Sequence, residues 1–162
     1  MARLRLMSVI GAGQCDARTA EMAERVGYEL ARRGWGVVCG GLGGVMEAAC
    51  RGARRAGGLT VGILPGDEPG AANPYVDVVI PTGMGEMRNA LVVRAGEAAI
   101  AVAGEYGTLS EIALALRMGK PVVGLHTWTL LKDGVPNAGI IPAESPEEAV
   151  EKVLRVLEEK RR

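Results

Sequence analysis

The stretch AAIAVAGEYGTLSE, residues 98–111, passes from an apolar run through a glycine-containing turn into the start of a helix. The run Ala98–Val102 contains no polar residue, which is typical of a strand buried on both faces of a parallel sheet. Gly104 and Gly107 free the backbone, and Thr108 adds a hydroxyl at the start of an apolar helix, Thr108–Met118. This order of strand, glycine loop and helix predicts a parallel α/β fold with an anion-binding loop.

Apolar runs and helical patterns alternate along the rest of the chain. Further strands are predicted at Leu4–Ile10, Gly36–Cys39, Leu59–Leu64, Val76–Ile80, Pro121–Leu125 and Gly139–Ile141. Helices are predicted between them, with Asp16 and Ser145 as N-caps, Gly34 as a helix end, and one helix over Gly85–Ala95. No repeat or linker interrupts this order, so we predict one domain over residues 1–162. It is an α/β fold whose parallel sheet carries helices on both faces.

The amino-acid composition limits the kinds of molecule that the protein is expected to bind. Lys plus Arg and Asp plus Glu number 19 each, so the zero net charge favours neither nucleic acid nor a charged membrane surface. With 2 Trp, 3 Tyr and no Phe, base stacking on an aromatic platform is not expected. The single His and three Cys lack zinc-site spacing, so no metal site is predicted. The first residues do not resemble a signal peptide and no run reaches membrane-span length, so we expect a cytoplasmic protein with reduced thiols.

Glycine is in excess, at 24 of 162 positions, and it clusters where predicted strands end. Ligands of parallel sheets bind at the carboxyl ends of strands, here the loops Gly11–Cys15, Gly40–Gly44, Pro81–Gly85 and Ala103–Gly107. Gly11 and Gly13 match two glycines of a dinucleotide fingerprint, but Asp16 stands at the third position. No acid ends the second strand either, so a mononucleotide or another phosphorylated ligand fits better than NAD. A plain tight turn fits equally well.

The loop after the second predicted strand is richer in glycine. Four glycines, Gly40, Gly41, Gly43 and Gly44, precede a helix that starts near Met46. Their backbone N–H groups can approach an anion closely, which predicts ligand contact. The alternative is a purely steric need for glycine where the helix crosses the sheet.

Arg88 is the candidate cation of the site. Helical spacing places it on one inward stripe with Leu91, Val92 and Ala95. A buried arginine must meet an acid or an anionic ligand, because an unpaired buried charge is too costly. We therefore favour a functional role for Arg88, and a structural ion pair or an arginine that reaches solvent is the alternative.

Glu111 closes the quoted stretch and permits two interpretations. It stands three residues after Thr108 and so fits a capping box, in which its carboxylate accepts from the Thr108 N–H. Beside the glycine loop it also fits a group that acts on a bound ligand, with Arg88 as its partner. The pattern of residues favours neither interpretation of Glu111.

Three motifs in this order resemble the Lonely Guy superfamily: Gly40-Gly41-Leu42-Gly43-Gly44-Val45-Met46, Met87-Arg88-Asn89, and Gly104-x-x-Gly107-Thr108-x-x-Glu111. The similarity runs from about Met7 to Leu125 and is strongest to the short branch that includes molybdenum cofactor carrier proteins. It implies a Rossmann-like fold, a homodimer or higher homo-oligomer, and a small phosphorylated ligand. Enzymes of the superfamily release a free base from a nucleoside 5′-monophosphate.

The resemblance also implies roles for residues. Arg88 and Glu111 match the essential Arg and Glu of the enzymes. The reaction of these enzymes gives ribose 5-phosphate as its second product and needs no cofactor. Glu111 would stabilise an oxocarbenium ion or take a proton from water, and Arg88 would steady the leaving base or the carboxylate. Ligand contacts are expected at Gly11, Gly13, Gly40, Gly41, Gly43, Gly44, Met46, Arg88, Asn89, Gly104, Glu105, Tyr106, Gly107 and Thr108.

The chain departs from the enzymes' Pro-Gly-Gly-x-Gly-Thr-x-x-Glu motif at two positions. Ala103 replaces the Pro, and Glu105 replaces the second Gly. A carboxylate repels a neighbouring phosphate unless it is paired or points away. A non-catalytic carrier or sensor, holding a nucleotide or molybdenum cofactor as cargo, is therefore the alternative function. Members of the superfamily are often misnamed lysine decarboxylases, an activity we reject here because no lysine is placed to form a Schiff base.

Overall fold

The computed structural model describes residues 3–162, and the first two residues of the predicted domain lie outside the described part. The strands are β1 (Arg5–Gly11), β2 (Trp35–Cys39), β3 (Thr60–Leu64), β4 (Val78–Pro81), β5 (Ala99–Val102), β6 (Val122–Leu125), β7 (Leu131–Lys132), β8 (Val135–Pro136) and β9 (Ile140–Pro142). The α-helices are α1 (Ala17–Arg32), α2 (Val45–Arg55), α3 (Asn89–Ala95), α4 (Tyr106–Arg117) and α5 (Pro146–Arg161).

Seven strands form one parallel sheet in the order β4-β3-β2-β1-β5-β6-β9. In the register of the sheet, Ser8 lies opposite Val38 on one side and Ala99 on the other. The chain builds outward from β1 to β4 and then returns to place β5 on the other side of β1. The loops after β1 and β5 therefore diverge, which leaves a crevice at this edge of the sheet where α/β proteins bind ligands.

Helices cover both faces of the sheet because side chains alternate along each strand. Met7 and Val9 pack in the core beneath α1, α2 and α5, whereas Ile10 packs in the core beneath α3 and α4. The Ser8 hydroxyl, on the second face, donates to the carbonyl of Val92 at 2.8 Å. The predicted Rossmann-like α/β fold, with its parallel sheet between two helical layers, is confirmed.

The helices α1 and α2 contact each other through glycine. A Cβ atom at Gly27 would stand 2.0 Å from the carbonyl oxygen of Ala49, and one at Gly52 would stand 1.9 Å from that of Glu24. Neither distance is sterically possible, so both positions require glycine. This close approach fixes α2, and with it the loop that precedes α2, against the sheet.

The helix after β5 begins earlier than the sequence pattern predicts. Glu105 is its N-cap residue, with no side-chain capping bond, and α4 starts at Tyr106. Thr108 is therefore the third residue of the helix and not its cap. The capping-box interpretation of Glu111, one of the two left open by the sequence, is wrong, since the described hydrogen bonds include none from the Thr108 N–H to Glu111. The other predicted caps are confirmed: Asp16 accepts from Thr19, and Ser145 accepts from Glu148.

The helix predicted over Gly85–Ala95 is divided. A 3-10 turn, Gly85–Arg88, precedes α3. Leu91 and Ala95 are exposed, so the predicted inward stripe is wrong at both positions. The 3-10 turn winds more tightly than an α-helix, which changes the phase of the residues that follow. Arg88 is nonetheless buried.

A short ribbon follows β6 and was not predicted. β7 and β8 pair antiparallel, and the turn between them is Asp133-Gly134, both with positive φ. Its apolar residues Leu131 and Val135 are exposed. Within residues 3–162, no helix combines the length and the hydropathy that a membrane crossing requires.

Candidate functional site

A cavity of about 610 Å³ opens at the carboxyl ends of β1 and β2, against the start of α4. It is lined by Val9, Ile10, Gly11, Ala12, Gly13, Gln14, Gly40, Leu42, Met46, Arg88, Asn89, Glu105, Gly107, Thr108 and Glu111. Ten of these were expected from the sequence, and they come from four separate segments of the chain. The fold thus brings most of the candidate residues to one place.

The loop after β2 reaches the cavity only in part. Gly40 lines it, and a Cβ atom there would stand 2.8 Å from the Nη2 atom of Arg88. Gly41 and Gly44 have positive φ and pack against other chain segments instead, Gly44 so tightly that a Cβ atom would lie 2.3 Å from the carbonyl oxygen of Ala12. Gly43 is likewise close to the carbonyl of Gly13. Packing explains these three glycines, and ligand contact at them stays a prediction.

The loop after β5 differs because several N–H groups around the start of α4 have no acceptor among the described residues. In the hydrogen bonds of residues 3–162, no acceptor is found for the N–H of Gly104, Tyr106 or Gly107. Gly107 is exposed and lines the cavity, and nothing lies within 4 Å of the position a Cβ atom would take there. Gly104, with φ 103°, instead makes room for the Thr108 side chain and does not line the cavity. The open N-terminus of α4 is therefore suited to an anion.

Arg88 is held at the floor of the cavity by two of its three nitrogens. Its Nε donates to the carbonyl of Ile63 at 2.9 Å, and its Nη1 donates to the side chain of Asn89. Asn89 is itself anchored to α4, because its Nδ2 donates to the Ser110 hydroxyl at 3.1 Å. The side chain is nine-tenths buried, and burial lowers the pKa of the guanidinium. Among the described residues its Nη2 has no hydrogen-bond partner, so it offers a charged donor to the cavity.

Glu111 lies one helical turn into α4, on the wall of the same cavity. Burial raises the pKa of its carboxyl from 4.5 to about 7, while the charge of Arg88 acts in the opposite direction. In the described structure the two side chains interact through space without a direct ion pair. A carboxyl group that titrates near neutral pH and faces a guanidinium donor can exchange a proton with a bound ligand.

Two predicted contacts lie at the rim. Glu105 is exposed and lines the cavity, so its carboxylate stands beside the start of α4. Tyr106 is 78% exposed and points away from the cavity, where its ring packs on Trp128 with 5.6 Å between ring centroids. A direct ligand contact from Tyr106 stays a prediction that this orientation does not favour.

Several residues of the site were not identified from the sequence. Gln14 and Leu42 line the cavity, and their positions inside the glycine loops were the available signal. Ala12, between Gly11 and Gly13, lines it as well, and so do Val9 and Ile10, which look like ordinary strand residues. Thr127 and Trp128 contact the loop after β5 from outside the cavity and carry no sequence signal.

Comparison with known proteins assigns the chain to a family. The model of the SLOG cluster4 family matches residues 4–150. The chain belongs to the SLOG cluster4 family. The match spans all of the cavity-lining segments described above.

Solved structures and a curated relative add to the family assignment. A molybdenum cofactor binding protein from Rippkaea orientalis is similar to this SLOG protein at 34% identity, with a TM-score of 0.87 over 97% of this chain and 99% of the other. The molybdenum cofactor carrier protein of Chlamydomonas reinhardtii shows 32% identity and a TM-score of 0.83 over 95% and 99% of the chains. A cytokinin riboside 5′-monophosphate phosphoribohydrolase from Mycobacterium tuberculosis is 34% identical over 127 residues, 72% of this chain and 67% of the relative.

Proposed function

We propose that this SLOG cluster4 protein binds a phosphorylated ligand of the nucleotide or pterin type, and that it is a carrier of molybdenum cofactor. The observation that carries the proposal is the open N-terminus of α4 facing a cavity that also holds the free Nη2 of Arg88. Together they supply backbone donors and one positive charge for a phosphate. The similarity to two molybdenum cofactor proteins over nearly the whole chain supports the cargo.

The cavity has the chemistry that such a cargo needs. Molybdenum cofactor combines a phosphate with a pterin ring system. The phosphate suits the donors of Gly107 and Arg88, and the space beside Gly107 is open for close backbone approach. The rings suit the apolar part of the wall, which includes Ile10, Leu42 and Met46.

The backbone of the loop after β5 favours carriage over hydrolysis. Ala103 has φ 49°, and its N–H donates to the carbonyl of Leu125 at 2.9 Å. Proline can adopt neither feature, because its ring fixes φ near −65° and its nitrogen carries no hydrogen. The loop therefore has a conformation that the enzymes' Pro-Gly-Gly sequence cannot copy. Glu105 adds a negative charge where those enzymes have glycine.

Hydrolysis of a nucleoside 5′-monophosphate is the second candidate function, and Glu111 is the observation that favours it. Its pKa of about 7 suits a group that exchanges protons at neutral pH. The ionised carboxylate would stabilise a ribosyl oxocarbenium ion as the bond to the base breaks, or would take a proton from the attacking water. Arg88 would steady the departing base. The phosphoribohydrolase relative supports this reaction class.

One experiment separates the two functions. Purified protein is incubated with a panel of nucleoside 5′-monophosphates, and free base is measured by chromatography beside the affinity for each by calorimetry. In parallel, protein loaded with molybdenum cofactor is mixed with a molybdenum enzyme that lacks it, and the recovered activity is measured. The carrier proposal expects transfer and no free base. Release of base that Glu111→Gln abolishes would replace it with the hydrolase.

We also propose that the protein forms a homodimer or a higher homo-oligomer in the cytoplasm. Support comes from large apolar side chains that are exposed: Met87 in the 3-10 turn, Leu91 in α3, and Tyr106 in α4. Apolar patches of this kind mark contact surfaces in soluble proteins. Light scattering coupled to size-exclusion chromatography tests the proposal, and a monomer at micromolar concentration would contradict it.

A further inference from the structure

The end of β6 and the residues that follow it hold the loop after β5 through three hydrogen bonds. The carbonyl of Leu125 accepts from the Ala103 N–H at 2.9 Å. The Thr127 hydroxyl donates to the Ala103 carbonyl at 2.6 Å, and the Trp128 indole N–H donates to the Glu105 carbonyl at 3.2 Å. We name residues 125–128 the clasp. Its side chains do not line the cavity.

The clasp and the cavity lie on opposite sides of β5. The strand order β1-β5-β6 places the clasp on the β6 side, while the cavity lies on the β1 and β2 side. Peptide bonds in residues 3–162 are all trans. In a trans peptide the carbonyl of one residue and the N–H of the next point in opposite directions. A carbonyl held toward β6 therefore turns the following N–H toward β1.

This rule applies to two peptides of the loop. The Ala103 carbonyl is held by Thr127, so the Gly104 N–H turns toward the cavity side. The Glu105 carbonyl is held by Trp128 and also accepts from Leu109 at 3.0 Å within α4. The Tyr106 N–H therefore points out of the start of the helix. These are two of the free N–H groups described above.

The backbone conformation of Ala103 is strained, so the loop needs hydrogen bonds from another segment to maintain it. With φ 49° this residue lies in the left-handed region, which an alanine enters only against a steric penalty. Both of its peptide groups are bonded to the clasp. Without those bonds the peptide between Ala103 and Gly104 is free to rotate to an unstrained conformation, and the Gly104 N–H then leaves the cavity side.

We infer that Thr127 and Trp128 are positioning residues of the anion site. They act through the peptide groups of Ala103 and Glu105, which they orient so that the N–H groups of Gly104 and Tyr106 turn toward an oxyanion bound at the start of α4. The inference rests on the proposed function, since it concerns how the same site binds phosphate. Arg88 provides independent support for an anion there, because it is nine-tenths buried with its Nη2 unpartnered among the described residues.

The test is an NMR titration of ¹⁵N-labelled full chain with inorganic phosphate. Thr127→Val keeps the shape of the side chain and removes its donor, whereas Thr127→Ser keeps the donor. We expect the Gly104 and Tyr106 amide signals to shift in wild type and in Thr127→Ser with similar affinity. In Thr127→Val we expect the affinity for phosphate to be about tenfold lower, because a charge-assisted hydrogen bond is lost. We also expect the Gly104 amide signal not to shift. Thr129→Val, an exposed neighbour, is the control.

The outcomes separate this inference from the proposed function. Equal phosphate affinity and equal Gly104 shifts in Thr127→Val and wild type would overturn the role of the clasp alone. No response at the start of α4 in wild type would overturn the anion site and the clasp together. If Thr127→Val does not fold, Trp128→Phe decides by the same titration, since it removes the indole donor and keeps a ring against Tyr106.

Discussion

The loops after β2 and β5 resemble each other in sequence and differ in structure. Each follows a buried strand, contains several glycines and opens a helix. In the first loop, Gly44 packs on the chain after β1, and the Val45 N–H donates to the carbonyl of Ala12 at 3.0 Å. In the second, carbonyls are bonded on the outer side, and N–H groups near Gly107 are left for a ligand. Glycine content alone therefore does not identify a ligand loop; the direction of its peptide groups does.

The largest effect we expect is a loss of stability when Gly44, in the first loop, is substituted. Gly44→Ala adds a methyl group 2.3 Å from the carbonyl oxygen of Ala12 at a residue with φ 61°. The strain and the overlap together should cost about 3–5 kcal/mol of unfolding free energy. Gly107→Ala should be neutral or stabilising, because it adds a helix-favouring residue in open space. Urea unfolding of both variants measures the difference, and equal losses would remove the distinction between the loops.

Glu111, on the helix that follows the second loop, makes the stability of the fold depend on pH. Because burial raises its folded pKa from 4.5 to about 7, the folded state binds more protons than the unfolded state between these values. Wild-type stability therefore falls as pH rises through this window. Glu111→Gln does not titrate, so its advantage over wild type should grow from about zero at pH 4.5 to about 3 kcal/mol above pH 7.

Unfolding free energies of Glu111→Gln and wild type at several pH values check this prediction. Glu158→Gln, at an exposed position on α5, is the matched control and should track wild type. A difference between Glu111→Gln and wild type that stays flat across the window would mean that the carboxyl is not buried as described.

Gly107→Val should affect binding far more than folding. Its branched side chain fills the space beside the start of α4 and blocks backbone approach, so we expect phosphate or nucleotide affinity to fall about 100-fold, or about 2.7 kcal/mol. Gly70→Val, at another exposed glycine with open space, should leave affinity unchanged. Calorimetry on the folded variants measures both, and wild-type affinity in Gly107→Val would refute the anion site.

The smallest expected effect is at Ala103. Ala103→Gly removes the penalty of a left-handed alanine, which is worth about 1 kcal/mol of stability before the greater flexibility of glycine in the unfolded chain offsets part of it. Ala103→Pro should be destabilising, since it loses the bond to Leu125 and cannot adopt φ 49°. Thermal unfolding ranks the three proteins. A proline variant as stable as wild type would mean that the loop can take the enzymes' conformation.

The parallel sheet was predictable because its strands are continuous apolar runs separated by helical patterns. The start of α4 was misjudged because Thr108 and Glu111 imitate a capping box, while the true N-cap, Glu105, has no capping side chain. The ribbon of β7 and β8 was missed because its strands are two residues long, although Asp133-Gly134 is a favoured hairpin turn. Arg88 is buried, as the sequence predicts, but it lies in a 3-10 turn and not on the predicted helical stripe.

The cavity was only partly predictable. Glycine loops and charged residues stand out in a sequence, which is how Gly107, Arg88 and Glu111 were identified. The clasp could not be found in this way, because Thr127 contacts a carbonyl 24 positions away and only the pairing of β5 with β6 brings them together. Residues that act through the backbone of another segment leave no local pattern.

The glycine contact between α1 and α2 has a consequence for protein engineering. Because Gly27 touches the backbone at Ala49 and Gly52 touches that at Glu24, the two helices behave as a single exchangeable part. A chimera that takes only one of them from a homologue with a larger residue at either contact must separate the pair. A chimera that takes both together, with β2 and the loops between them, keeps the contact and carries one wall of the cavity with it.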